Sequence, residues 1–237
     1  MIISHELLKS GCAALNIELD PMAVERFDSY ASLLIEWNKK FNLTAITEPS
    51  DIVTKHFVDS LTFFSAAEPK IGASLIDVGS GAGFPGIPVK ILRGDMSVTL
   101  LDGTKKRTVF LQEVADRLGL QITAIHGRAE EAAQQADYRE QFDFATARAV
   151  ASMPELSEYC LGFVRVGGVF VAMKGPSAKD ELPTAKNAIT VMGGKIDSVS
   201  EKILSDGSAR TLIRIKKISQ TPTDYPRCSA KIAKKPL

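Results

Sequence analysis

The sequence predicts an α/β protein: a mostly parallel seven-stranded sheet that ends in an antiparallel hairpin, with a helical addition at its N-terminus. Three patterns carry this reading. Apolar residues recur at helical spacing up to residue 70, and short apolar runs then alternate with helical stretches from residue 74 onward. The last two strand-like runs flank Ser205-Asp206-Gly207, a turn signal. The composition agrees, with 237 residues, 45% apolar and 24% charged. Such a chain buries a core without disulfides or metals, and it is neither collagen-like, disordered nor membrane-spanning in composition.

In order along the chain, Ser4 caps a short helix running to Leu15. Asp20-Pro21 is a cap followed by proline at the first helical position, opening an amphipathic helix with Met22, Phe27, Tyr30, Leu33, Leu34 and Trp37 on its apolar side. Ser50 or Asp51 starts a third helix, with Val53, Phe57, Leu61 and Phe64 on one stripe. Strands follow at 74–79, 98–102, 122–126, 142–147 and 168–174, separated by helices near 85–93, 105–118, 130–136 and 152–165. A helix over Ala178–Val191 then leads to strands at 195–203 and 210–218. This divides the chain into a helical addition (1–70), a sheet domain (71–218) and a C-terminal tail (219–237).

Cys12, Cys160 and Cys228 are too few and too widely spaced for a disulfide framework, and the three histidines assemble no zinc site. No basic stretch leads into an apolar run at MIISHELLKS, so no secretion signal is expected and a reducing cytoplasmic location is. The overall charge of +1 conceals an asymmetry. From Arg210 to Leu237 eight basic residues face one acid, a net +7, leaving residues 1–209 at −6. A basic stretch on an acidic body suits a polyanionic partner, and it equally suits a solvated tail.

The motif that carries chemistry is Asp77-Val-Gly79-Ser-Gly81-Ala-Gly83-Phe84-Pro-Gly86, lying between a strand and a helix. Glycines there let the backbone approach a ligand closely beside a helix start. A carboxylate at Asp77 would repel a pyrophosphate but can orient a ligand bearing an amino group and a sulfonium. Asp102 ends the next strand, placed to accept hydrogen bonds from a ribose. The combination resembles the S-adenosylmethionine (AdoMet) site of Rossmann-like methyltransferases. A nicotinamide-dependent oxidoreductase is a competing reading of the same loop, and a catalytically silent RNA-binding protein is another. At the third strand's end, Ala129 and Glu130 are placed to meet an adenine, although Glu130 would also stabilise a helix N-terminus. Arg148 and Lys174 end the fourth and fifth strands, where ligands gather in this architecture.

The acceptor is narrowed by what is missing. No cysteine lies near a strand end to attack a pyrimidine C5, and the fourth strand is followed by Ala147-Arg148-Ala149-Val150 rather than an (Asp/Asn)-Pro-Pro-aromatic turn. A ring nitrogen with a free lone pair, such as guanine N7, needs neither device and no general base.

Trp37-Asn38-x-x-Phe-Asn42-Leu43-Thr44-Ala45-Ile46, Lys55-His56-x-x-Asp59-Ser60-Leu61, the Asp77–Gly86 loop, Ala129-Glu130, Ala147-Arg148-Ala149 and Tyr225-Pro226-Arg227 together resemble the bacterial small-subunit ribosomal RNA guanine-N7 methyltransferases, the glucose-inhibited division protein B family. The resemblance runs in order through almost the whole chain. It implies AdoMet-dependent methylation of one guanine, number 527 in the usual numbering, in 16S ribosomal RNA within the 30S subunit or an assembly intermediate. It further implies AdoMet contacts at Gly79, Phe84, Ala129, Glu130 and Arg148; a monomer without a metal is expected. Asp77, Gly81, Gly83 and Asp102 complete the expected cofactor site. Arg148, Lys174, His56 and Asp59 are candidates for positioning, none of them as a general base. Lys174, Arg227, Lys231, Lys234 and Lys235 are the expected RNA contacts. After Tyr225-Pro226-Arg227 the chain has Cys228-Ser229-Ala230, where the family tends to have glycine.

Overall fold

The structure, a computed structural model, describes residues 1–237. Its centre is one seven-stranded sheet: β1 (Ser74–Val78), β2 (Ser97–Asp102), β3 (Ile122–His126), β4 (Phe142–Arg148), β5 (Val164–Lys174), β6 (Gly194–Ile203) and β7 (Ala209–Lys217), in the spatial order 3-2-1-4-5-7-6. Strands β1 to β5 pair in parallel, and β7 pairs antiparallel to both β5 and β6. The chain runs outward from β1 to β3 and then returns to the far side of β1 with β4. The crevice at the carboxyl ends of β1 and β4 is therefore the switch point at which such sheets bind ligands.

The helical addition comprises α1 (His5–Ala13), α2 (Pro21–Phe41), α3 (Pro49–Asp51), a π-helical stretch Ile52–Val58, α4 (Asp59–Leu61) and a 3-10 turn Thr62–Ser65. Ser4 and Asp20 cap α1 and α2 through hydrogen bonds from Leu7 N (3.2 Å) and Ala23 N (2.6 Å). Helices α5 (Gly86–Leu92), α6 (Lys105–Leu118), α7 (Ala129–Ala132), α8 (Met153–Leu161) and α9 (Ala178–Val191) connect the strands, and α10 (Ser229–Lys234) closes the chain. Side chains alternate across the sheet. Leu75 and Leu100 join a core with Phe27, Tyr30, Phe57 and Phe110, while Ile76 and Ala145 join a second core with Met153, Phe163 and Phe170. The first core spans helical addition and sheet without a break. Each large side chain moved out of water here contributes about 1.5–3 kcal/mol.

Three elements depart from the sequence reading. The third helix is mainly π-helical, a hydrogen-bond pattern with no signature in apolar spacing. The helix expected over 130–136 stops at Ala132, and the one expected to reach 165 stops at Leu161, because β5 starts early at Val164 and bends at Gly167 (φ +89°). Lys217, one of the eight basic residues in the stretch from Arg210 to Leu237, is not solvated. Strand β6 is the outer strand, and Lys217 is wholly buried, donating to Leu161 O (2.8 Å), Met192 O (2.9 Å) and the Thr221 hydroxyl, with Glu140 Oε1 at 3.1 Å. Burial lowers its pKa to about 8, with Glu140 opposing the shift. No helix is long and apolar enough to cross a membrane.

Candidate active site

The glycine loop links β1 to α5 and is pinned from below. Gly79 N and Ser80 N donate to Leu101 O at 2.8 and 3.1 Å, and Gly81 N donates to Asp102 Oδ2 at 2.9 Å. Gly79 (φ +73°) and Gly83 (φ +100°) hold left-handed backbone that only glycine adopts readily. A Cβ on Gly83 would lie 2.6 Å from the Tyr30 hydroxyl, which donates to Ala82 O. Tyr30 thus ties the helical addition to the loop, stacked between Phe57 and Phe84. From sequence, Tyr30 was indistinguishable from ordinary core.

Asp77 lies beneath the loop rather than in an open cleft. It is fully buried, its Oδ2 accepts from Gly86 N at 2.8 Å, and its Oδ1 has no partner. Burial raises its pKa to about 7, against the lowering effects of the Gly86 hydrogen bond and Arg148. Asp102 is nearly buried as well. Besides Gly81 N it accepts from Thr104 N (2.8 Å) and the Arg107 guanidinium (3.4 Å), which leaves about one lone-pair site of its four for a ribose hydroxyl. It therefore shapes the loop and its junction with α6.

Beside the loop lies a cleft of about 330 Å³, lined among others by Gly79, Leu101, Ala129, Glu130, Val150 and Tyr159. Glu130 is buried and accepts from Arg128 Nε at 3.2 Å. Val150 covers the other end, and its γ-methyl would stand 2.7 Å from a Cβ on Gly79.

A second cavity of about 470 Å³ opens beyond Arg148 and Ala149, lined by Lys55, His56, Asp59, Lys174, Glu181 and Arg210 among others. Arg148 organises it. Its Nη1 donates to Lys55 O (3.0 Å) and Asp59 Oδ2 (2.9 Å), and its Nη2 lies 3.1 Å from His56 Nδ1. His56 Nε2 is 2.9 Å from the Thr44 hydroxyl, and its ring stacks on Phe84 at 4.2 Å. Burial, reinforced by the Arg148 charge, pushes the imidazole pKa down to about 3, so His56 is neutral and accepts from Arg148 at Nδ1. Asp59 also forms an ion pair with Arg210 Nε at 3.0 Å. The π-helical stretch, α4 and β4 thus bring His56, Asp59 and Arg148 together. After Arg148 the backbone enters a left-handed turn at Ala149 (φ +56°), an uncommon conformation for a residue with a Cβ. Lys174, expected as an RNA contact, is engaged within the protein: its Nζ holds this turn through Ala151 O (2.8 Å) and pairs with Glu181 (2.9 Å), whose carboxylate also accepts from Met153 N (2.7 Å).

A family model described as rRNA small subunit methyltransferase G (GidB) matches residues 23–211. The chain is 48% identical over 236 residues to the ribosomal RNA small subunit methyltransferase G of Alkaliphilus metalliredigens, covering 99% of both chains. It is 49% identical to the protein of the same name from Acetivibrio thermocellus, covering 98% of this chain and 96% of that one. The chain belongs to this family. More distant solved structures share its fold. One is a SAM-dependent methyltransferase from Aquifex aeolicus (TM-score 0.55, 18% identity, 75% of this chain and 97% of that chain). Another is M. jannaschii TYW2 in complex with AdoMet (TM-score 0.52, 14% identity, 67% and 75%).

The rRNA small subunit methyltransferase G family uses AdoMet, and the site's chemistry fits that cofactor. The unpartnered Asp77 oxygen suits an ammonium group, the left-handed glycine loop suits a close-lying chain, and Asp102 and Glu130 stand at successive strand ends. No group of three or more side chains is arranged to hold a metal ion.

The C-terminal segment corrects one expectation. Arg227 is not a free cation for RNA. Its Nε and Nη2 grip Glu158 at 2.9 and 2.7 Å, and its backbone N donates to the same carboxylate at 2.8 Å. Glu158 is completely buried, so it requires this partner. Arg139 adds hydrogen bonds to Thr221 O, Pro222 O and Tyr225 O, fastening the segment to the domain. Lys231, Lys234 and Lys235 remain exposed around the buried anchor Ile232. Glu158 carried one missed signal: an acid among Met153, Leu156, Cys160 and Leu161 on a buried helix face needs a cation.

Proposed function

We propose that this protein transfers the methyl group of AdoMet to N7 of a guanine in 16S ribosomal RNA, guanine 527 in the usual numbering. The observation that carries this reading is the arrangement around Arg148-Ala149-Val150. On one side lies the glycine-loop cleft, and on the other a cation-rimmed cavity whose only histidine is neutral and already engaged at both ring nitrogens. Guanine N7 carries no proton, so an acceptor there needs orientation and no base. When bound, AdoMet supplies an electrophilic methyl on a sulfonium. The N7 lone pair forms the new C–N bond as the C–S electrons return to sulfur, and the positive charge moves to the base. In this reading the glycine loop, Asp77, Asp102, Ala129 and Glu130 hold the cofactor, and Phe84 backs the loop through its stack on His56. Arg148, fixed by Asp59, His56 and the Lys55 carbonyl, orients the acceptor, and Lys174 holds the turn that separates the two cavities.

The substrate is presented in the 30S subunit or an assembly intermediate, to a monomeric enzyme in the cytoplasm. Lys231, Lys234 and Lys235 contact phosphates, which position the RNA without reading its sequence. Incubation with labelled AdoMet and, separately, 16S RNA, 30S subunits and tRNA tests the reading. Label is expected in the small-subunit RNA, and reduction followed by aniline should cut it at one site. Label on an exocyclic amine, a ribose or a protein would overturn the assignment, as would tight NADH binding.

A further inference from the structure

A second basic surface lies away from the C-terminal lysines, where the last turn of α2 meets the first turn of α6. Lys39, Lys40 and Phe41 come from α2, and Lys105 and Lys106 from α6; all five are exposed. Lys106 Nζ lies 5.4 Å from the centre of the Phe41 ring, and Trp37 supports that ring from behind, between Phe41 and Phe110. Lys40 has only a loose surface pair with Glu36 at 3.7 Å, which holds little against a competing anion. The first turn of α6 contains Lys105, Lys106 and Arg107 and no acid, a distribution that opposes the helix dipole. Charges placed against local helix stability suit an anionic partner.

The patch is joined to the acceptor cavity by hydrogen bonds. Asn38 in the last turn of α2 exchanges two with the Thr44 backbone (2.9 and 3.0 Å), and the Thr44 hydroxyl meets His56, which meets Arg148. We propose that this surface binds a single-stranded stretch of the substrate RNA beside the target guanine. One base takes the place of Lys106 on the Phe41 ring as that lysine turns to a phosphate, and Lys39, Lys40 and Lys105 neutralise further phosphates. An exposed aromatic ring among lysines is the pairing that single-stranded nucleic acid selects, through base stacking and backbone charge together. The inference rests on the RNA-methyltransferase reading above.

The test compares two fourfold Lys→Gln variants of equal charge. One changes Lys39, Lys40, Lys105 and Lys106; the other changes Lys9, Lys70, Lys186 and Lys195, exposed lysines elsewhere on the surface. Affinity for a single-stranded RNA oligonucleotide is measured against salt. For single strands each lost phosphate contact removes about 0.7 from the log–log slope, so the first variant should lose up to ~3 units and bind on the order of 10²-fold more weakly at 0.15 M salt. The second should keep the wild-type slope. Phe41→Ala should weaken binding ~5-fold or more without altering the slope. AdoMet affinity and thermal midpoint, measured in parallel, should stay at wild-type values. Equal slope loss in both fourfold variants, an unchanged slope in the first, or wild-type binding by Phe41→Ala would overturn the inference. Failure of the wild-type protein to methylate any ribosomal RNA would instead overturn the parent reading.

Discussion

Arg227→Met separates two roles that the basic C-terminus could serve. In the structure the Arg227 side chain makes two of the three hydrogen bonds to the fully buried Glu158 carboxylate, and the Arg227 backbone N makes the third. Removing the guanidinium strands a buried charge, which costs about 3–5 kcal/mol in general. Here the backbone donor remains and Arg227 keeps 21% of its side-chain surface in solvent, so the lower end, about 3 kcal/mol, applies. For a chain of this size that corresponds to a fall of roughly 6–12 °C in Tm, and to a lower denaturant midpoint with an unchanged m-value. Arg227→Met combined with Glu158→Met should recover at least ~1 kcal/mol of the loss, because the apolar pair leaves no stranded charge. The assay is equilibrium unfolding of the three proteins beside RNA binding as a function of salt. A loss below ~1 kcal/mol in Arg227→Met, accompanied by a shallower salt slope, would refute the clasp and restore Arg227 as a phosphate contact.

Further outcomes follow from the titrating groups and the strand ends. His56 has its pKa lowered to about 3, so the unfolded chain takes up a proton between pH 6.5 and 3 that the fold refuses. Stability should therefore fall through that window as pH drops, more steeply in the wild type than in His56→Gln, and pH-dependent unfolding checks this. Asp77 is shifted the other way, to about 7, so its contribution is present at low pH and is lost as pH rises from 4 to 7; Asp77→Asn should abolish that slope. An ammonium on Asp77 Oδ1 would favour the carboxylate, so AdoMet binding near pH 6 should release protons, read as a buffer-dependent calorimetric enthalpy. Lys174→Met frees Ala151 O and Glu181 and should lower turnover about tenfold, with partial rescue by Lys174→Arg; the RNA salt slope should stay unchanged, as befits a positioning residue.

Elements whose cause is local were legible in the sequence. Ser4 and Asp20 cap helices through residues three positions ahead, Ala178–Val191 spans the helix its spacing predicts, and the strands of β1 to β5 show as short apolar runs. The glycine loop was legible as a loop for the same reason, since its backbone needs fall within ten consecutive residues. Partners far apart in sequence were not. Glu158 meets Arg227 across 69 positions, and Arg148 meets His56 across 92. No spacing rule relates such residues. The burial of Lys217 follows from β7 inserting between β5 and β6, a choice of strand order that a hairpin pattern leaves open.

That limit bears on where acceptor selectivity resides. In the proposed reading the cofactor side comes chiefly from the sheet, because the glycine loop, Asp102 and Glu130 lie at or just after the ends of β1, β2 and β3. The proposed acceptor side is shared. Arg148 rises from β4, but every group it donates to (the Lys55 carbonyl, His56 and Asp59) comes from the helical addition. Without those acceptors the guanidinium would keep its charge and lose its orientation, and Tyr30 would no longer hold Ala82 in the loop. The addition also shares a continuous core with the sheet, so the two cannot shift independently without opening apolar contacts among Phe27, Phe57, Leu100 and Phe110. Methylating a different base from the same cofactor cleft would therefore require changes in the first 70 residues as much as at the strand ends. The π-helical stretch, which sequence spacing did not reveal, is the element that presents His56 and the Lys55 carbonyl, one residue ahead of Asp59 in α4.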